Sequence, residues 1–213
     1  LVLYGEGSVT LYNNDVSTRI NHLITITNKI HKDSNTSTIF KLSDSRKHTD
    51  FVDTDDSAKM LVDALNDTSI TGLRDDLNAD EVIMYKPYSG DGYCGLAWLN
   101  TPLSDIYAYG VVSIDCPTET TAHELGHNFG LSHSHIQNSV GIHPYSLGHG
   151  EDGLFSTIMA YFSAFNVEET TMVFSSPLLD CSGSPCGIDE GYTGEADAVK
   201  SIIQTKTTIS AFR

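Results

Sequence analysis

Apolar residues recur at three- and four-residue steps between Asp15 and about Lys32: Val16, Ile20, Leu23, Ile24 and Ile30, with Thr27 on the same stripe. That spacing predicts an amphipathic helix, and Asn14 or Asp15 can cap its start. A second helix is predicted over 57–65, burying Ala58, Leu61, Val62 and Leu65. A last one is predicted over about 195–206, burying Ala196, Val199, Ile202 and Ile203. Strands are predicted at 2–4, at 37–42 with Ile39 and Phe40 as apolar content, at 81–85 and at 110–114. His22 and His31 fall on the first helix and read as surface or boundary residues. With no internal repeat and no linker, 213 residues read as one domain.

Hydrophobic residues make up 39% of the chain, enough for a packed core. Twelve basic against 28 acidic residues give a formal charge of −16, which argues against nucleic acid or an anionic membrane as partner. No run of about 18 apolar residues is present to span a bilayer. No signal peptide is visible, so a secreted form implies that residue 1 follows a processed segment. Four cysteines allow three pairings. Cys181 and Cys186 flank a short loop that a disulfide could staple, which would leave Cys94 to pair with Cys116. Free thiols or a second metal site are the alternatives. C-x-x-C spacing is absent, so disulfides and an oxidising, extracellular compartment are favoured. Residues 43–57 gather Asp44, Asp50, Asp53, Asp55 and Asp56. Calcium is the ion such a loop would hold. The D-x-D-x-D-G pattern is missing, so a solvated loop is the favoured reading.

The chemistry concentrates in residues 121–133. A helix is predicted to start after Pro117, with Thr118 as N-cap and Glu119 in the first turn. Ala122, Leu125, Gly126 and Phe129 make its core-facing stripe. His123 and His127, four apart, share a different arc and can point at one ion. Glu124 sits between them, within reach of a water on that ion. His133 is six residues beyond His127, so the chain must turn, and Gly130 stands where a left-handed helix end requires a residue without Cβ. Three neutral imidazoles with an open fourth position make a catalytic zinc site.

His123-Glu124-x-x-His127-x-x-Gly130-x-x-His133 resembles the motif of the metzincin zinc endopeptidases, most closely bacterial secreted peptidases of the reprolysin (adamalysin) branch. The resemblance extends to Leu73-Arg74-Asp75 followed by Ala79-Asp80-Glu81-Val82. It implies that Gly95, Leu96 and Ala97 form the edge strand along the upper rim of the cleft, where an extended substrate can pair. It makes Met159, 26 residues past His133, the Met-turn beneath the imidazoles. Tyr161 matches a tyrosine that in some metzincins touches zinc and stabilises the oxyanion. Residues 174–177 resemble the S1′ wall. Ser134 stands where reprolysins usually carry Asp and matrixins Ser. His135, His143 and His149 read as loop or cleft-wall residues, with His135 as the stand-in should His133 not serve.

By this resemblance the fold is α/β (α+β), zincin-like. A twisted mixed sheet packs with helices, and the cleft lies between a larger N-terminal lobe (about 1–130) and a smaller C-terminal lobe (about 131–213). The implied activity is hydrolysis of peptide bonds with one catalytic zinc, Glu124 as general base and Tyr161 assisting. The implied partners are protein or peptide substrates, with no nucleic acid and no membrane, and the chain is expected to be a monomer. A silent peptide-binding module on the same fold is the competing class. A metal-buffering or adhesion protein would explain the histidines but not Met159.

Overall fold

The computed structural model describes residues 1–49 and 56–213. In chain order it forms β1 (Val2–Tyr4), α1 (Glu6–Leu11), α2 (Val16–Asp33), β2 (Ser45–Lys47), α3 (Ser57–Asn66), α4 (Thr68–Asp76), β3 (Val82–Lys86), β4 (Gly95–Ala97) and β5 (Tyr109–Ser113). Then come α5 (Thr120–Asn128), the pairs β6 (Gly150–Glu151) with β7 (Phe155–Ser156) and β8 (Asp180–Cys181) with β9 (Ser184–Pro185), and finally α6 (Ala198–Ile209).

Among the described residues five strands make one sheet in the order β2-β1-β3-β5-β4. The first four run parallel and β4 runs antiparallel on β5, so the sheet is mixed and β4 stands at its edge. β3 and β5 are buried along their whole length, and they read as apolar runs because both faces of the sheet are covered. Alternate residues supply the two faces. Leu3, Val82, Met84 and Val111 pack with Met60, Leu61, Ala64 and Ile70 of α3 and α4. Val2, Ile83, Tyr85 and Val112 pack with Val16, Ile20 and Leu23 of α2 and Leu125 of α5. A third cluster joins Ala122 of α5 and Phe129 at its C-cap to Met159, Phe174 and the Ala198, Val199 and Ile202 side of α6. So α5 is packed from two sides, and each large side chain it buries contributes about 1.5–3 kcal/mol.

Several expectations need correction. Residues 37–42 form no strand: Ile39 is exposed, and the Phe40 backbone is bonded at both N–H and C=O by the Asn28 side chain instead of a neighbouring strand. The short strand comes later, at β2. On α3 the buried stripe is Ser57, Met60, Leu61 and Ala64, with Val62 and Ala58 turned outward. On α6, Ile203 is exposed and Ser201 and Thr205 are buried. The α4 helix was not anticipated; its buried face is Ile70 and Arg74, whose guanidinium donates to the carbonyls of Ala79, Asp80 and Asp105. Both disulfides form in the pairing Cys94–Cys116 and Cys181–Cys186. Among the described residues no helix is long and apolar enough to cross a membrane.

His31 is not a boundary residue. It is 2% exposed, ringed by Phe40, Phe129 and Phe174, with its Nδ1 2.9 Å from Thr36 Oγ1. Burial lowers its pKa from 6.5 to about 4. The unfolded chain therefore takes up this proton first. The stability His31 contributes is complete above pH 6.5 and is lost as pH falls toward 4. The loss amounts to about 3 kcal/mol at 1.36 kcal/mol per pKa unit. Denaturant unfolding of wild type and His31→Leu across pH 7.5 to 4 measures this. The gap between the two should narrow by that amount as pH falls, and a constant gap would exclude it.

Candidate metal centre

α5 starts later than expected. Thr118 does not cap it; Glu119 occupies the N-cap position without a side-chain hydrogen bond. Its C-terminus closes as a Schellman motif: Gly130 N–H donates to His127 O (2.9 Å) and Leu131 N–H to Gly126 O (3.0 Å). Gly130 has φ +80°, and a Cβ there would lie 2.9 Å from Ile142 Cβ. The turn expected at this glycine is present, and it swings the chain back so that His133 returns to the helix.

His123, His127 and His133 converge, with one ligand atom from each lying within 4.8 Å of the others. His123 and His133 bring their Nε2 atoms to 3.2 Å. The Nδ1 of His123 is 2.7 Å from Ile158 O, and the Nδ1 of His127 is 2.9 Å from Leu131 O. A carbonyl only accepts, so both Nδ1 atoms carry the proton and both Nε2 atoms present lone pairs. Burial lowers the pKa of all three histidines, of His123 to about 4, and the neighbouring imidazoles lower those of His123 and His127 further. Two of the three neutral imidazoles thus turn Nε2 lone pairs toward the space they share with His133. The donor set therefore fits a borderline-soft divalent metal such as zinc.

Glu124 is 4% exposed, and burial lifts its pKa to about 8. Met159 is fully buried, and a Cβ on Gly126 would fall 2.5 Å from its Sδ, so the thioether lies against the helix that carries His123 and His127. The Tyr161 ring lies 4.4 Å from that of His133 and 6.0 Å from that of His123, centroid to centroid. It is half exposed, and burial together with the charge of Glu124 raises its pKa. Gly95, Leu96 and Ala97 are the half-buried β4, the free edge beside β5.

The other histidines stand apart. His135 Nε2 bonds Glu195 O (2.8 Å), His143 stacks on Tyr145, and His149 packs on Phe155. His135 is therefore not the third member of the cluster. Ser134 caps a short 3-10 turn with Gln137, whose Oε1 also accepts from Tyr161 N–H. Ser132 and Leu147 form a parallel bridge that closes the base of the 133–146 loop. In 174–177, Ser175 Oγ donates to Leu147 O (2.5 Å) and accepts from Ala198 N–H (3.0 Å), joining that base to α6. Of the acidic loop, Asp50, Asp53 and Asp55 lie outside the described residues. Asp44 pairs with Arg46, and Asp56 caps α3. Among the described residues the three histidines are the one cluster that could hold a metal. The carbonyls of Leu131 and Ile158 and the approach of Gly110 to Glu124 were missed: a carbonyl leaves no mark on sequence, though a glycine inside a strand run is a usable signal.

A model of the metallopeptidase family M12B, reprolysin-like, matches residues 7–191. The chain belongs to this family. The reprolysin-like chain is 33% identical over 177 residues to a peptidyl-Asp metalloendopeptidase of Pseudomonas aeruginosa (strain PAO1), covering 70% of this chain and 29% of that protein. A peptidyl-Asp metalloendopeptidase of Stenotrophomonas maltophilia (strain R551-3) is 33% identical over 130 residues, covering 57% and 29%. The matched region thus spans 29% of the length of these relatives. A chain in a solved chaperone–substrate complex superposes with a TM-score of 0.78 at 24% identity, covering all of this chain and 35% of that one, which shows a shared fold. For this metallopeptidase, Ser134 in place of the usual Asp does not move it out of the reprolysin-like group.

Proposed function

We propose that this chain is a single catalytic domain, with lobes of about 1–130 and 131–213 around a cleft, of a secreted zinc endopeptidase that cleaves peptide bonds in proteins. The observation that carries the reading is the convergence of three imidazoles within 4.8 Å beside the buried Glu124. His123, His127 and His133 would hold the zinc. When bound, zinc supplies Lewis acidity, lowering the pKa of a water to about 7 and polarising a carbonyl. The Ile158 and Leu131 carbonyls fix the His123 and His127 rings and keep their Nε2 atoms deprotonated. Met159 keeps water from beneath them.

Glu124 accepts the proton of the attacking water and passes it to the leaving amine. Burial alone favours its neutral form, and a cation on the imidazoles pulls its pKa back toward the working range. Tyr161 keeps its phenolic proton, since its pKa is raised, and its O–H donates a hydrogen bond to the oxyanion. The free edge of β4 receives the substrate as an added strand. Cleavage beside Asp enters this reading from the relatives' name alone. Two disulfides suit the oxidising surroundings of a secreted protein. Calcium has no support among the described residues and is not part of the reading.

The test is cleavage of casein by purified protein with and without o-phenanthroline, together with its zinc content. One zinc per chain and chelator-sensitive cleavage are expected, and mapping the new termini shows whether cuts fall beside Asp. Cleavage that survives complete removal of zinc would overturn the proposal.

A further inference from the structure

Most of the inward positions of β3 and β5 carry Val, Ile, Met or Tyr, yet the corner of the sheet under α5 is bare. Gly95 and Ala97 are two apart on β4 and share one face. Ala97 stands opposite Gly110 on β5, and Gly95 opposite Val112, so Gly110 looks the same way. Glycine in a strand weakens it and marks a close approach by something else.

What approaches is Glu124. The three heavy atoms nearest to a Cβ built on Gly95 are all in that side chain: Oε1, then Cγ at 2.6 Å and Cδ at 2.7 Å. A Cβ on Gly110 would meet Ile83 Cδ1 first, at 3.1 Å, then Ala97 Cβ at 3.5 Å and Glu124 Cβ at 3.6 Å. The side chain that enters this space is 96% buried, given its 4% exposure. Cys94, the residue before Gly95, is bonded to Cys116, so the start of β4 is covalently tied to the loop that leads into α5.

The geometry points to a notch in the sheet at Gly95 that seats the Glu124 carboxyl and fixes its direction, bordered by Gly110 beside the Glu124 Cβ, with Gly95 as a positioning residue for the base. This rests on the reading of Glu124 as the base. A glutamate has three side-chain torsions, and a base must hold its oxygen within about 2.6–3.2 Å of the proton it takes. The absence of Cβ at residue 95 makes room for the carboxyl, and a Cβ there would displace it. Gly95 acts on the reaction through Glu124 and is separate in role from the backbone edge that would bind substrate.

The test compares wild type, Gly95→Ala, Glu124→Asp and the double variant as zinc-loaded enzymes, with zinc content and melting temperature measured on each. Gly95→Ala is expected to lower kcat on the order of 100-fold, the effect of about 1 Å of misplacement. KM should stay within about twofold and one zinc per chain should remain bound. Asp is one methylene shorter and withdraws from the notch, so the same substitution in the Glu124→Asp background should cost well under tenfold. Equal losses in both backgrounds would make Gly95 merely structural, and a rise in KM alone would assign it to substrate binding; either overturns the proposal. An unchanged kcat does so too. If Gly95→Ala fails to fold, Gly95→Ala/Glu124→Ala should fold, because the atoms the new Cβ meets first are those of Glu124; failure of both would exclude the notch. Loss of the base itself is read separately: a Glu124→Ala enzyme with native turnover removes the mechanism, whereas a silent Gly95→Ala beside a dead Glu124→Ala removes only the notch.

Discussion

Glu124→Ala is expected to lower kcat by about 10²- to 10⁴-fold, the range that a positioned acid–base group contributes. One zinc should stay bound, because the three imidazoles are held by elements that do not involve the carboxylate. His123 is fixed by the carbonyl of Ile158, His127 by that of Leu131, and the Tyr161 ring lies against His133. Truncation also leaves a small void against Gly95 instead of a buried charge, so folding should be little affected. Turnover of casein, bound zinc and thermal melting on the same preparation decide it. A native rate would mean that another group takes the proton. Loss of zinc together with activity would mean that the glutamate holds the centre together.

The second large effect concerns stability. Replacing Cys94 and Cys116 together by Ser should destabilise the fold by about 3 kcal/mol, from the entropy returned to the unfolded chain by opening a loop of this length. The two cysteines are 22 residues apart, against 5 for Cys181 and Cys186. The same relation gives about 2 kcal/mol for the shorter loop, so the order of the two variants is itself a check. The longer bridge also joins the start of β4 to the approach to α5, and its removal should reduce activity before the protein unfolds. Urea unfolding followed by tryptophan emission, in parallel with peptidase assays, separates the two effects. Equal midpoints for wild type and the Cys94/Cys116 variant would show that native packing alone sets this geometry.

The sequence showed those elements whose pattern arises from the chain itself. α2 was legible because its apolar stripe repeats over several turns, α5 because its stripe and its histidines fall on separate arcs, and β3 and β5 because strands covered on both faces read as largely apolar runs. What failed depended on distant partners. Residues 37–42 look like a strand, but Asn28 occupies the backbone groups of Phe40 that a strand would use. α4 escaped because part of its buried face is Arg74, which is sheltered by three carbonyls found only in the folded chain. His31 looked like a surface residue until Phe129 and Phe174, far along the chain, enclosed it. Within the candidate site, spacing on one helix was enough to bring His123 and His127 together, and Gly130 announced the turn that adds His133. The carbonyls of Leu131 and Ile158 had no such signature, since every residue has one.

The bridge between Ser132 and Leu147 sets a boundary between what can vary in this protein and what cannot. Outside it lies the backbone against which Met159 is packed, where a Cβ on Gly148 would fall 2.5 Å from Ala160 N, and the third histidine follows directly on Ser132, at the clamped root of the loop. At its tip the same loop carries Val140 at 74% exposure. Because the two ends are clamped, doubling the length between them adds only about 0.6 kcal/mol of closure entropy. Insertions at this tip can therefore accumulate as natural variation, or be grafted by design, and remodel the ground beside the histidines without retuning them. Selectivity and chemistry are thus able to evolve at different rates within one short chain.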